Sequence, residues 1–134
     1  MNSQEIEYIL KSQKSFGCVL ARDELYKIPI GKTNLKNSNK SYIINTDNHN
    51  EQGCHWLSMR ITPNAIYFFD SFGVSCANFI TDFAKERNIK NIYYNNIQLQ
   101  KLEEQSCGSW SISFVKADVK SLKEFREFVL RYMK

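Results

Sequence analysis

The chain has 134 residues, 43% of them hydrophobic and 24% charged, with a formal net charge of +4. That is the size and composition of one soluble domain, spanning 1–134, able to bury a core without a covalent staple. An aromatic content of 13% excludes a chain too polar to collapse. No apolar run approaches the roughly 20 residues of a bilayer span. The polar start MNSQEIEYILKSQ does not read as a secretory signal. Four cysteines in that setting read as free thiols in a reducing compartment. The charge permits weak attraction to nucleic acid without demanding it. The loose concentration of Lys32, Lys36 and Lys40 reads first as a solvated loop.

In chain order, 2–13 predicts a helix capped by Asn2 with Glu5 in a capping box, its apolar stripe Ile6, Ile9 and Leu10. Residues 16–30 are apolar but irregular, ending at Pro29 and Gly31, and a polar loop follows. Tyr42 to Asn45 predicts a short buried strand. His55 to Ile61 alternates with period two and predicts another, with His55, Leu57, Met59 and Ile61 on one side. Pro63-Asn64 is a turn, and 65–70 returns to complete a hairpin. Ser75 to Arg87 predicts a helix with Phe79, Ile80 and Phe83 inward, and Asn91 to Ile97 a strand. A helix starts at Ser106. A last one is capped by Ser121 with Glu124 and carries Leu122, Phe125, Val129 and Tyr132. Helices at the ends around a central sheet make an α+β fold.

Cys107 is the thiol that context singles out. It lies at a predicted helix start, where the dipole favours thiolate, and Gly108 and Ser109 leave room for a substrate backbone. The bases on offer are His49, in a polar loop, and His55, opening an apolar strand. A histidine base needs a third group to fix its tautomer. The hairpin brings Asp70 to the same end of the sheet as His55, in an apolar setting where a carboxylate needs a partner. Gln98, Gln100 and Gln105 are candidate oxyanion donors beside the Cys107 N–H. Each residue also has a plain reading: a core cysteine, a structural histidine, a turn-capping aspartate.

The blocks Gly53-Cys54-His55-Trp56, Asp70-Ser71-Phe72-Gly73, Leu99-Gln100 and Ser106-Cys107-Gly108, in that order, resemble the adenovirus-type (adenain-like) cysteine proteases. They are most similar to the branch carried by Polinton/Maverick elements and virophages. The resemblance spans about Phe16 to Val115. It implies a fold shared with SUMO- and ubiquitin-like-modifier proteases, a mixed sheet with flanking helices and the nucleophile at a helix N-terminus. It places the catalytic histidine on His55, the acid on Asp70, the nucleophile on Cys107 and the oxyanion glutamine on Gln100. Gln98 and Gln105 are then structural or surface residues. Cys18, Cys54 and Cys76 are packing residues. Trp56, on the face opposite His55, covers and positions other site residues or packs in the core.

The function so implied is a viral endopeptidase acting on capsid or core precursors, in the virion and the infected cell. Its partner is a polypeptide, without a membrane, and a monomer is favoured. Adenoviral members use a disulfide-linked peptide and DNA as activators. No cysteine here is assigned to such a peptide, and no cofactor is expected from the residues themselves. The alternative is an isopeptidase of ubiquitin-like modifiers. That class places its glutamine six residues before the cysteine, where this chain has Lys101. A zinc-binding reading lacks any C-x-x-C pair or paired-histidine spacing.

Overall fold

A computed structural model of the chain describes residues 2–28, 39–46, 55–73, 78–99 and 107–132. Asn2 caps helix α1 (Ser3–Leu10) with both halves of the capping box formed. The apolar run read as irregular is strand β1 (Phe16–Ala21), followed by a short 3₁₀ helix (Arg22–Lys27). β1 was hidden because it lacks alternation, and its register with β2 shifts between Phe16 and Val19. Gly17 fits here because the Tyr42 ring occupies the space a Cβ would take.

Strand β2 (Lys40–Asn45), β3 (Trp56–Ile61), β4 (Ile66–Phe69) and β5 (Ile92–Tyr94) complete a five-stranded sheet in the order β1-β2-β3-β4-β5. The outer pairs β1–β2 and β4–β5 are parallel, and the inner pairs β2–β3 and β3–β4 are antiparallel. The helices are α2 (Asn78–Glu86), α3 (Cys107–Ala117) and α4 (Leu122–Arg131), the last capped by the Ser121 hydroxyl accepting from the Glu124 N–H. The architecture is α+β, as the pattern of elements predicts.

Period-two pleating sorts the strand residues onto two faces. On one face Tyr42, Ile44, Leu57, Met59, Ile61, Ile66 and Phe68 pack with Leu25 of the 3₁₀ helix and with Ile80, Phe83 and Ala84 of α2. On the other, Ile43 packs with α1 and α3, while Tyr67 and Phe69 pack with α3 and α4. Phe69 seats the C-terminal helices: its ring stacks on Phe114 at 5.3 Å and meets Phe128 edge-on at 5.2 Å. No helix among the described residues is long and apolar enough to cross a membrane.

Two boundaries differ from expectation, and one is not reached. α1 stops at Leu10, where the apolar stripe ends. β5 stops at Tyr94, and the next residue, Asn95, bonds the Asp70 backbone through its side chain. Helix α2 is described only from Asn78, so the cap expected at Ser75 lies outside the described residues.

Candidate functional site

The β3–β4 register pairs Ser58 with Phe69. Carried one step further, it puts Asp70 across from Leu57, two residues along from His55 and on the same face of the pleat. The two side chains meet at the sheet end: His55 Nε2 lies 2.8 Å from Asp70 Oδ1. The pair is enclosed, with side-chain exposures of 14% and 9%.

Backbone fixes the carboxylate. Asp70 Oδ1 also accepts from the Phe72 N–H at 2.9 Å, an Asx turn, and the Gly73 N–H closes the turn on the Asp70 carbonyl at 2.8 Å. Buried Asn95 then grips Asp70 from the neighbouring chain segment. Its Oδ1 accepts from the Asp70 N–H at 2.9 Å, and its Nδ2 donates to the Asp70 carbonyl at 2.6 Å and to the Ile97 carbonyl at 3.3 Å. Phe72 stacks on the His55 ring at 4.4 Å and 22°, so one turn supplies the imidazole with both a carboxylate and an aromatic cover.

Cys107 opens α3, half-buried. Burial is the largest influence on each member of the Cys107–His55 pair, and it opposes charge on both. Hydrogen bonding and charge from Asp70 and Cys107 outweigh it at His55, raising that group from 6.5 to about 9. At Cys107 burial is outweighed by the hydrogen bond to His55, by the Trp56 and Gly108 backbone N–H groups and by the His55 charge, and the thiol falls below its usual 9.0. Both shifts favour the thiolate–imidazolium pair. With Nε2 given to Asp70, the nitrogen left for Cys107 is Nδ1. It is buried and makes no fully formed hydrogen bond, a loose arrangement of the kind that tightens when substrate binds.

The structure thus brings His55, Asp70 and Cys107 together. Gln100 lies outside the described residues, as do Gln105, His49, Cys54 and Cys76. Gln98 is described, in the segment alongside the 70–73 turn, where its N–H borders Gly73. The Trp56 side chain packs against the cluster of Ile6, Leu10, Ile43, Ile112 and Val115, and its backbone serves Cys107. Cys18 is half-buried, and burial, helped by Glu7 and Glu24, pushes its thiol up, opposite to Cys107. Among the described residues no three His, Cys, Asp or Glu side chains converge as metal ligands.

Sequence reasoning missed Asn95, whose signal was the Asn95-Asn96 pair breaking an aromatic run, and the stacking role of Phe72. Asn95→Ala removes the bonds that hold both sides of the Asp70 peptide and leaves buried groups unpaired, at a cost of about 1–3 kcal/mol. Its thermal midpoint should drop by about 3–10 °C. A midpoint within about 1 °C of the parent would show that the turn holds Asp70 unaided.

The fold is a mixed sheet between helices, with a cysteine–histidine–aspartate constellation at one end of the sheet. Among solved structures it is matched by the ASFV pS273R protease, with a TM-score of 0.55 and 19% identity over 72% of this chain and 39% of that one. The selenomethionine form of the same protease matches at TM-score 0.50 and 19% identity over 70% of this chain. The chain therefore spans well under half the length of the neighbours it matches. No protein-family model matches the chain, and no curated protein does.

Proposed function

We propose that the chain is a cysteine endopeptidase of viral maturation type that cleaves capsid or core precursor polypeptides. The observation that carries this reading is the 2.8 Å His55–Asp70 pair at the sheet end beside Cys107 at the start of α3, a setting that also lowers the thiol. Such a thiolate attacks a peptide carbonyl, forming a tetrahedral oxyanion. The imidazolium then gives its proton to the leaving amine, and water hydrolyses the thioester. The Cys107 N–H and, by the motif resemblance, Gln100 stabilise the oxyanion. The fold likeness to a viral protease supports the reaction class. The adenain-like assignment and its Polinton/Maverick and virophage branch rest on the order of the sequence blocks. So do the virion and host-cell setting, the precursor substrate and weak DNA binding.

Limited alkylation at pH 7 followed by peptide mass spectrometry tests the chemistry. Cys107 should react at least about 10-fold faster than Cys18, because a lowered thiol is largely thiolate where a raised one is not. Cys107→Ala should lose cleavage of a co-expressed precursor. Equal alkylation of the two thiols, or cleavage surviving Cys107→Ala, would refute the reading. Labelling of Cys107 by a modifier-derived electrophile but not by a peptide one would turn it to an isopeptidase.

A further inference from the structure

Arg60 is among the largest fully buried side chains in the protein, 2% exposed, on the β3 face that α3 covers. Its Nη1 lies 2.9 Å from Oδ1 of Asp118, the residue just past the end of α3. Asp118 holds a left-handed backbone, φ +52°, and its other oxygen lies 3.5 Å from Lys120 Nζ. Glu124 acts on Arg60 at longer range. Ser41, across from Arg60 in the β2–β3 register, leaves its buried hydroxyl unpaired.

As a stabilising device this pair is poor. Neither Arg60 Nη1 nor Asp118 Oδ1 completes a well-aligned hydrogen bond, and Arg60 Nε is also unpartnered. A buried ion pair of that quality is generally matched or bettered by apolar residues of similar volume, and its best-attested use is to fix register. Register is what the geometry concerns. His55 precedes β3 and meets Cys107 at the start of α3, while Arg60 lies five residues on and meets Asp118 eleven residues on. Five strand residues span about 17 Å, and eleven helical residues span about the same. Strand and helix run in the same direction and are pinned at both ends over equal lengths.

We propose that Arg60 and Asp118 are positioning residues that set how far α3 slides along β3, and so hold the Cys107 sulfur at His55. Apolar packing through Ile112, Phe114 and Val115 sets α3 against the sheet near its middle and far end. The charge pair at Asp118 adds a directional constraint on translation along the helix axis, which non-directional apolar contact does not supply. This inference rests on the cysteine-protease reading above.

The test variant is Arg60→Met with Asp118→Asn, which removes both charges together and leaves neither buried alone. Arg60→Met with Asp118→Gly, which also suits the positive φ and removes the side chain at 118, carries the test if the first double variant does not fold. Thermal unfolding and near-UV circular dichroism report the fold, and Cys107 alkylation across pH reports the site. With the fold intact, Cys107 alkylation at pH 7 should fall about 10- to 100-fold, the scale set by misplacement of order 1 Å. Its pH midpoint should move up, while Cys18 alkylation stays unchanged. In a peptide assay kcat should fall with KM nearly constant, and Arg60→Lys should recover part of it. A folded variant with parental Cys107 kinetics overturns the inference and leaves the protease reading standing. A parent chain whose Cys107 alkylates no faster than Cys18 overturns the protease reading first.

Discussion

His55→Ala should lower kcat/KM for a peptide substrate by on the order of 10²–10⁴, and Asp70→Asn should lower it less while reshaping its pH dependence. In the proposed mechanism the imidazole has two tasks, to keep the thiol ionised and to return a proton to the leaving amine, and the alanine variant loses both. Asp70→Asn keeps an oxygen that can accept from Nε2–H but removes the charge. Asp70 is the first of the groups that raise His55 toward about 9, against burial, which lowers it. The ion pair populates between the lowered Cys107 value and the raised His55 value. Activity should therefore climb with pH below 9.0, the ordinary thiol value, and decline as His55 loses its proton through about 9. In Asp70→Asn the alkaline limb should move down toward 6.5, the ordinary imidazole value. A pH–rate profile of kcat/KM reads both limbs, and an unmoved alkaline limb would remove Asp70 from the chemistry.

The same linkage gives a signed effect on stability. His55, raised on folding, contributes stability that is full below about 6.5 and lost as pH rises through about 9. Cys107, lowered on folding, contributes above 9.0 and loses that contribution as pH falls through its lowered value. The two have opposite signs, so each offsets part of the other's pH dependence.

The site was legible where the chain pairs locally. The hairpin put His55 and Asp70 at one sheet end because the alternation of 55–61 and the Pro63-Asn64 turn leave little choice of register. Cys107 was legible from a helix-start pattern of small residues. What was not legible depends on contacts distant in sequence. Asn95 is an ordinary polar residue until the fold sets it 25 positions from Asp70 in sequence yet bonded to it. β1 takes its strand geometry from parallel pairing with β2 rather than from its own pattern. Arg60 alternates correctly as a strand residue, and a one-dimensional reading sends an arginine there to solvent. It is buried because α3 covers that face, and tolerated because Asp118 meets it.

Gly73→Ala should be the most damaging single change outside His55, Asp70 and Cys107. Gly73 has φ +68°, a conformation costing an alanine about 1–2 kcal/mol. A Cβ there would also lie 2.6 Å from the Gln98 nitrogen and the Ile97 carbonyl oxygen, and closer still to the Ile97 carbonyl carbon. These are backbone atoms, so no rotamer change relieves the overlap, and the 97–99 segment or the 70–73 turn must move. That movement strains the Leu99 N–H bond to the Ser71 carbonyl at 2.8 Å and the grip of Asn95 on Asp70 and Ile97. Overpacking of this kind costs a further ~1–3 kcal/mol, for a thermal midpoint lowered by about 10 °C or more. Because the same turn carries Asp70 and Phe72, kcat should fall in the protein that remains folded. Gly73→Asn separates the two contributions. Asparagine tolerates the positive φ but carries the same Cβ, so it should recover only the conformational part. A Gly73→Asn protein as stable as the parent would show that dihedral strain, not the approach of the 97–98 backbone, fixes glycine at this turn.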